Sequence, residues 1–261
     1  MPLSEKARKQ GALWGLEARD WREIQERKSP VLWAPVLDLA GVGEGTRVLD
    51  AGCGAGGASL MARDRGAVAN GCDISEAMLA QARERMPDAD LRLGDLEHLP
   101  FEDARFDAVL AINSLQFTQD PARAARELVR VAAPGGRVVV AVWSIDHCEQ
   151  KAIFDAILSL FEKPPTGRGV FALSAPGDVE ALFAGEHVET HLIDCPFIYP
   201  NLEIALRGQM AAGPSQRVVE IFGREKVEAV VRASLRNFVK ESGEVRMHNR
   251  FRCVVAVKAP R

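Results

Sequence analysis

The glycine-rich turn at residues 51–57 limits the folds available to this chain more than any other feature. It directly follows a short apolar run, 46–50, and it precedes a helical pattern that extends to about Arg65. Glycines in such a turn allow main-chain N–H groups to approach a ligand that Cβ atoms would keep at a distance. A strand, a glycine turn and a helix in this order therefore predict an α/β sheet with a ligand at the carboxyl end of the strand.

Strands and helices alternate beyond this turn, up to residue 143. Helices are predicted at 75–86 and from Asp120 onward, because the spacing of apolar residues there fits a helical period. Short apolar strands are predicted to end at Asp73 and to cover 90–94, 106–112 and 137–143. Such alternation requires right-handed crossovers, so we expect an α/β fold with a Rossmann-like, doubly wound and mostly parallel sheet.

The segments on either side of this core complete the expected architecture. A charged helix at 16–28 and a second helix to about Ala40, with Ser29 as its N-cap, precede the sheet. Beyond the core we predict helices near 149–162, 178–184 and within 201–241, and strands at 188–197 and 245–257. The expected sheet has seven strands and an antiparallel edge strand, with N-terminal helices and a helical insertion between the last two strands.

Composition narrows the function classes. The chain has 261 residues, of which 47% are hydrophobic, so it is long enough to bury a full core. The net charge of −3 disfavours nucleic acid as a partner, since proteins that bind a phosphate backbone usually carry a basic excess. Five cysteines without a C-x-x-C pair indicate reduced thiols and no metal site. The polar start and the short longest apolar run, 138–143, predict a cytoplasmic protein without a membrane partner.

Three motifs resemble the class I S-adenosylmethionine-dependent methyltransferases. The sequence from Val48 to Gly56, with Asp50 two residues before Gly52, resembles motif I of that family. Gly94-Asp95-Leu96 follows the third predicted strand and Leu99-Pro100-Phe101 comes shortly after it, as in the small-molecule branch, which is of the methyltransferase type 11 kind. Pro134-Gly135-Gly136 introduces the fifth strand, also as in the family. The resemblance is strong over 46–143 and only general elsewhere.

The resemblance implies a reaction and an organisation of the chain. It implies in-line transfer of a methyl group from S-adenosylmethionine to an O, N or C nucleophile of a small-molecule acceptor, with S-adenosylhomocysteine as product and no metal. It implies one domain, 1–261, with an N-terminal helical lid at 1–45 and a cofactor-binding core at 46–143. The C-terminal part, 144–261, would complete the sheet and supply substrate-cover helices at about 201–241. We expect a monomer or a homodimer.

The resemblance also implies roles for residues at the strand ends. The main chain around Gly52 and Gly54 would hold the methionine portion, Asp73 would accept from both ribose hydroxyls, and Asp95 would accept from the adenine amino group. The full set of implied cofactor contacts is Asp50, Ala51, Gly52, Cys53, Gly54, Gly56, Asp73, Ile74, Met78, Gly94, Asp95, Leu96, Asn113, Ser114 and Gln116. Structural roles remain open, since Asp73 could cap a helix, Met78 could be core packing, and Asp95 could cap a turn.

Candidates on the acceptor side are fewer. His147 follows the fifth strand and is the preferred general base, although an exposed loop histidine has the same signature. Trp14 and Trp21 are seven residues apart and would share a helical face, as packing residues or as part of a lid. The candidate acceptor contacts are Trp14, Trp21, Phe117, Trp143 and Tyr199.

Three other functions fit part of the pattern. Gly52, Gly54 and Gly57 satisfy G-x-G-x-x-G, with Asp73 at the offset of a ribose acid, as in NAD-dependent oxidoreductases. The only tyrosine, Tyr199, is not part of a Y-x-x-x-K pair, so the short-chain branch of those enzymes is disfavoured. The sequence at 113–116 departs from the Asn/Asp-Pro-Pro-Tyr motif of nucleic-acid methyltransferases. A binding protein that retains the cofactor site without turnover is the third alternative.

Overall fold

Seven strands form the central sheet of the computed structural model, which describes residues 3–163, 165 and 169–260. Their order across the sheet is β3-β2-β1-β4-β5-β9-β6, and β7 and β8 form a separate antiparallel pair. In chain order the strands are β1 (Arg47–Ala51), β2 (Val68–Asp73), β3 (Leu91–Leu93), β4 (Phe106–Ile112), β5 (Ala132–Cys148), β6 (His187–Asp194), β7 (Phe197–Tyr199), β8 (Val245–Met247) and β9 (Asn249–Val257).

The pairing confirms the predicted fold class. Strands β1 to β5 are mutually parallel, and β9 pairs antiparallel with both β5 and β6. The antiparallel strand thus lies one position in from the edge strand, β6. The strand order reverses at β1, which lies between β2 and β4, and this is the point where open α/β sheets bind ligands.

Helices cover both faces of this sheet and its carboxyl edge. They are α1 (Glu5–Gly15), α2 (Ala18–Asp20), α3 (Pro30–Leu39), α4 (Gly57–Asp64), α5 (Glu76–Arg85), α6 (Pro121–Val131), α7 (Lys151–Leu158), α8 (Leu202–Met210), α9 (Gly213–Phe222) and α10 (Arg224–Leu235). The last three form the predicted insertion between β6 and β9. Among the described residues, no helix is both long enough and apolar enough to span a bilayer.

The strands of the core alternate their side chains between two apolar layers. Leu49 and Val109 belong to one layer, whereas Val48 and Ala108 belong to the other, and all four are fully buried. Because both faces of a parallel sheet are covered by helices, its strands are apolar throughout. Burial on both faces explains why these strands could be predicted as short continuous apolar runs.

The N-terminal region differs from its prediction. Helix α1 was not predicted, and 16–28 is a composite of α2, a π-helical turn (Trp21–Gln25) and a 3-10 turn (Glu26–Lys28), not one regular helix. Ser29 occupies the predicted N-cap position of α3 with Pro30 in the first turn, but its backbone is helical and its hydroxyl donates to the Gln25 carbonyl at 3.0 Å instead of capping the helix. The helical path therefore continues nearly unbroken into α3.

Two further predicted elements differ in extent from those in the structure. Residues 178–184, predicted as a helix, contain only a short 3-10 turn, Glu180–Phe183. The predicted strand 245–257 is split at His248, whose N–H donates to a Glu149 carboxylate oxygen at 2.5 Å. Before this break the chain pairs with β7, and after it with β5 and β6.

Candidate functional site

A cavity opens beyond the carboxyl ends of β1, β2, β4 and β5. Residues from α1, from the composite turn at 18–28 and from the segment between α8 and α9 close it from above. The closing residues are Ala7, Gln10, Trp14, Trp21, Gln25, Glu26, Lys28, Gln209, Ala212 and Pro214. The sheet end thus forms the floor, and the additions to the core form the roof.

The glycine turn at the end of β1 requires its glycines. Gly52, Gly54 and Gly56 have φ angles of +83°, +55° and +81°, which side chains with a Cβ rarely adopt. A Cβ on Gly52 would lie 2.3 Å from the Ser114 Cβ atom. The turn therefore passes directly against the end of β4, where the Ser114 hydroxyl donates to the Ala51 carbonyl at 2.7 Å.

The N–H groups of this turn already have acceptors inside the protein. Gly52 and Cys53 both donate to the Cys72 carbonyl, at 2.7 Å and 3.1 Å. Gly54 donates to Asp73 at 2.8 Å. Ala55 donates to Glu26 at 3.0 Å. These N–H donors are therefore not free for an anionic ligand.

Asp73 lies at the end of β2 and is oriented by two main-chain donors. Its carboxylate accepts from Gly54 on one oxygen and from Ser75 on the other, each at 2.8 Å. Burial raises the pKa of Asp73, and the N–H groups of Ser75, Gly54 and Ile74 oppose that rise. The helix-cap role belongs to Ser75, whose hydroxyl oxygen faces the Met78 N–H at 3.5 Å.

Asp50 ends β1 beside it and is almost inaccessible, with 2% of its surface exposed. The Ser59 hydroxyl donates to it at 2.7 Å. Burial, and to a smaller extent the neighbouring Asp73, raise the pKa of Asp50 to about 6. A cationic group placed next to these two carboxylates would relieve both the burial cost and their mutual repulsion.

Glu26 reaches the same turn from the N-terminal side. It is 5% exposed, accepts from the Ala55 N–H and pairs with Arg85, whose guanidinium also donates to the Ala55 carbonyl at 3.0 Å. Burial raises the pKa of Glu26 to about 7, although Arg85 acts in the opposite direction. Asp50, Asp73 and Glu26 therefore surround one glycine turn, and Asp50 and Glu26 are almost fully buried.

The cavity floor beyond Asp73 is mostly apolar. Ile74, Met78 and Leu96 line it, together with the acids Asp95 and Glu97. One oxygen of Asp95 accepts from the Glu97 N–H at 3.0 Å, so Asp95 caps its own turn as well as lining the cavity. An apolar slot with few polar groups suits a planar heterocycle.

Helix α1 packs directly on this slot through a glycine. A Cβ on Gly11 would lie 2.1 Å from the Ile74 carbonyl oxygen, so only glycine allows this approach. The Gln10 amide donates to the Phe117 carbonyl at 3.2 Å. Trp14 makes edge-on ring contacts with Trp21 and Phe117, at centroid distances of 5.0 Å and 5.3 Å.

The far half of the cavity, beyond β5 and β9, is lined by aromatic rings. Trp143 lies 4.4 Å from Phe251 and 5.4 Å from Phe197, measured between ring centroids. The Lys28 ammonium lies 3.9 Å from the centre of the Phe197 ring. Burial lowers the pKa of Lys28 to about 7. We call this half, defined by Lys28, Trp143, Phe197 and Phe251, the aromatic chamber.

Most of the predicted cofactor contacts meet in this cavity. Those that line it are Asp50, Gly52, Cys53, Gly54, Asp73, Ile74, Met78, Asp95, Leu96, Asn113 and Ser114. Ala51, Gly56, Gly94 and Gln116 are not among the lining residues. A Cβ on Gly94 would lie 2.8 Å from both Cys72 and Pro100, which gives that glycine a packing role. Gln116 instead donates to Asn113 at 2.5 Å.

Four of the five predicted acceptor contacts line the cavity, and the fifth does not. Trp14, Trp21, Phe117 and Trp143 line the cavity. Tyr199 does not, because it is buried behind the wall, where its hydroxyl donates to Gln25 at 2.9 Å.

His147 requires correction. Its side chain is exposed and is not among the cavity-lining residues. Strand β5 continues to Cys148 and carries this residue past the cavity into solvent. The assignment of His147 as general base is therefore abandoned.

Sequence reasoning missed Glu26 and Lys28. Both belong to a segment that we interpreted as a charged amphipathic helix. No local signal marks them, because their contacts are with residues distant in sequence. Among the described residues, no cluster of His, Cys, Asp and Glu has the arrangement of a metal site.

Comparison with known proteins identifies relatives of this core. Residues 49–140 match the family model described as a methyltransferase domain. The chain is 37% identical over 128 residues to the demethylmenaquinone methyltransferase of Paenarthrobacter aurescens, which covers 49% of this chain and 46% of the relative. It is 39% identical over 140 residues to the malonyl-(acyl-carrier protein) O-methyltransferase of Erwinia pyrifoliae, with 53% of each covered. The chain thus spans about half the length of these curated relatives.

A solved structure extends the likeness to most of the fold. Geranyl diphosphate C-methyltransferase from Streptomyces coelicolor, solved with S-adenosyl-L-homocysteine, has a TM-score of 0.51 and 18% identity. The superposition covers 87% of this chain and 75% of that one. At this identity the likeness concerns the fold alone.

Proposed function

We propose that this chain, which carries a class I S-adenosylmethionine-dependent methyltransferase domain at residues 49–140, methylates a small molecule at an O, N or C nucleophile. The observation that carries the proposal is the cluster of Asp50, Asp73 and Glu26 around the glycine turn. Three neighbouring carboxylates with raised pKa values favour a ligand that brings positive charge. S-adenosylmethionine carries both an ammonium and a sulfonium.

The residues present fit this cofactor. Asp73 would bind the ribose hydroxyls, because a carboxylate suits a vicinal diol. Ile74 and Met78 would flank the adenine, and Asp95 would accept from its amino group. Asp50 and the carbonyl oxygens of the glycine turn would face the ammonium. When bound, the cofactor supplies a methyl group that its sulfonium has already activated.

The chain contributes positioning and exclusion of water. The roof residues close the cavity over the floor, so a nucleophile in the aromatic chamber would be held near the cofactor end and away from solvent. Holding two reactants in line is worth several kcal/mol, on the order of 7–11 in favourable cases. Cys53 is not a candidate nucleophile, because burial holds its pKa well above the ordinary value.

We also propose that residues 1–45 act as a lid. The contact of Gly11 with Ile74, the hydrogen bond from Gln10 to Phe117 and the hydrogen bond from Ala55 to Glu26 support this role. Ligand entry would require these contacts to open. The cytoplasmic location and the monomeric or homodimeric state stay predictions of the sequence.

Calorimetric titration with S-adenosylmethionine, S-adenosylhomocysteine and NAD tests the proposal. We expect both sulfur compounds to bind and NAD not to bind. Binding of NAD alone would replace the methyltransferase assignment by that of an oxidoreductase. Release of S-adenosylhomocysteine in the presence of a panel of small acceptors separates an enzyme from a binding protein, and turnover on DNA or RNA only would contradict the small-molecule proposal.

A further inference from the structure

The polar groups of the aromatic chamber have incomplete hydrogen bonding. The Trp143 Nε1–H group is buried and has no acceptor among the described residues, although Trp143 is only 4% exposed and lines the cavity. A buried donor without a partner costs about 1–3 kcal/mol, so such groups are usually matched by a ligand or by water. Because the Trp143 ring lines the chamber, a ligand bound there would supply this donor with an acceptor after a small movement of the ring.

Lys28 is the second unusual group. The hydrogen bonds that its ammonium makes, at 3.1 Å to the Gln25 carbonyl and to the Gln25 side chain, both end on neutral oxygens. The charged or titratable groups that face it are Glu26 and the Cys195 thiol, and Glu26 is already paired with Arg85. Burial holds the pKa of the Cys195 thiol above its ordinary value, at about 11, so that thiol supplies no negative charge. A half-buried lysine without its own carboxylate favours an anion as partner.

A network of neutral amides holds this lysine in place. The Gln25 side chain donates to the Gly208 carbonyl at 2.5 Å and accepts from the Tyr199 hydroxyl at 2.9 Å. The Gln209 amide donates to Tyr199 at 3.1 Å and to Gln150 at 3.0 Å. Because these residues satisfy one another, the ammonium is positioned without being neutralised, and its charge is available to the chamber.

The walls determine the shape of what binds there. Trp143 and Phe251 pack with an interplanar angle of 32°, and the Phe197 ring lies beneath Lys28. A flat aromatic ligand can pack against these rings, where such ring contacts add about 0.5–1.5 kcal/mol to the burial of apolar area. A flexible aliphatic chain would not make these ring-to-ring contacts.

We propose that the methyl acceptor is a flat aromatic molecule with an anionic oxygen, a phenolate or carboxylate, bound to the Lys28 ammonium and to the Trp143 Nε1–H. This inference rests on the proposed function, because it assigns the chamber to the acceptor. It names the substrate class, and it makes Lys28 an acceptor-binding residue.

Three matched probes test the proposal by calorimetry at about pH 6, where a benzoate is ionised and Lys28, whose pKa is about 7, keeps its charge, with S-adenosylhomocysteine present and absent. The probes are 4-nitrophenol, 4-nitrobenzoate and the neutral 4-nitroanisole. We expect at least one anion to bind the unaltered protein roughly 10- to 100-fold more tightly than 4-nitroanisole. Bound 4-nitrophenol should also keep its visible phenolate band at a lower pH than the free compound does. Equal binding of all three probes would overturn the proposal.

Substitutions assign the effect to the two residues. Lys28→Met should remove the preference for the anion and leave 4-nitroanisole unaffected, and Lys28→Arg should restore much of it. Trp143→Phe retains a ring without the N–H and should weaken the anion about 2- to 10-fold. Lys226→Met, an exposed position on α10, is the matched control and should change nothing.

The outcomes separate this inference from the proposed function. If Lys28→Met keeps the anion preference but weakens S-adenosylhomocysteine, Lys28 serves the cofactor and the inference is refuted while the methyltransferase assignment stands. If the unaltered protein binds the anion but neither sulfur compound, the proposed function fails instead. Thermal unfolding of each variant establishes that the binding losses arise from a folded protein.

Discussion

Asp50→Asn should stabilise the unliganded protein above pH 6 and have little effect near pH 4. Burial raises the pKa of Asp50 to about 6 from an ordinary value of 3.8. The folded state therefore binds more protons than the unfolded state between these values, and stability falls as the pH rises through that window. The difference corresponds to about 3 kcal/mol at pH 7 and above, because one pKa unit is about 1.4 kcal/mol. Asparagine removes the charge and keeps an oxygen for the Ser59 hydroxyl.

Urea unfolding monitored by tryptophan fluorescence, from about pH 4 to about pH 8, measures this effect. We expect the free energies of unfolding of the variant and the parent to converge at the acidic end and to differ by about 2–3 kcal/mol at the basic end. Asp64→Asn, at an exposed position on α4, is the control and should not separate from the parent. A difference that does not change with pH, or a variant less stable at about pH 8, would refute the reasoning.

Three further predictions concern ligand binding. Asp73→Ala should cost roughly 2–4 kcal/mol of S-adenosylmethionine affinity with the fold retained, and unchanged affinity by calorimetry would remove Asp73 from the site. Gly11→Ala places a Cβ 2.1 Å from the Ile74 oxygen, so α1 must move and the affinity for S-adenosylmethionine should fall at least about 10-fold. Lys9→Ala, at an exposed position on the same helix, is the control and should leave this affinity unchanged. Equal affinities of the two variants would contradict the proposed lid. S-adenosylmethionine should bind more tightly at about pH 8 than at about pH 5, because its positive charges lower the pKa values of Asp50 and Glu26 and release protons. Calorimetry in buffers of different ionisation enthalpy measures that release, and its absence would contradict the assignment of the acids.

The cofactor half could be predicted because its signals are local. A glycine turn after an apolar strand, and an acid at the end of a strand, can each be recognised from a few consecutive residues. Parallel strands bring their carboxyl ends to one edge, so Asp50, Asp73 and Asp95 meet regardless of how the rest of the chain folds. The bounds of β4, predicted at 106–112, also agree with the structure, since both of its faces are buried.

Trp143 of the acceptor half was predicted, but Glu26 and Lys28 were missed, because these two residues are placed by contacts distant in sequence. Glu26 pairs with Arg85, which lies 59 positions away in sequence, and the Lys28 ammonium lies over the ring of Phe197 in β7. No local pattern distinguishes such charges from solvated ones. The error at His147 has a similar origin, because the length of β5 depends on its pairing with β9, and that pairing extends as far as Asn249.

One short piece of backbone serves both halves of the cavity. The turns from Trp21 to Lys28 send Trp21 and Glu26 to the glycine loop, and Gln25 and Lys28 to the aromatic chamber. A shift of this segment when the cofactor binds must change the affinity for the acceptor. Thermodynamic reciprocity requires the acceptor to change the affinity for the cofactor by the same factor. Attempts to re-engineer acceptor choice at these positions would consequently alter cofactor retention as well.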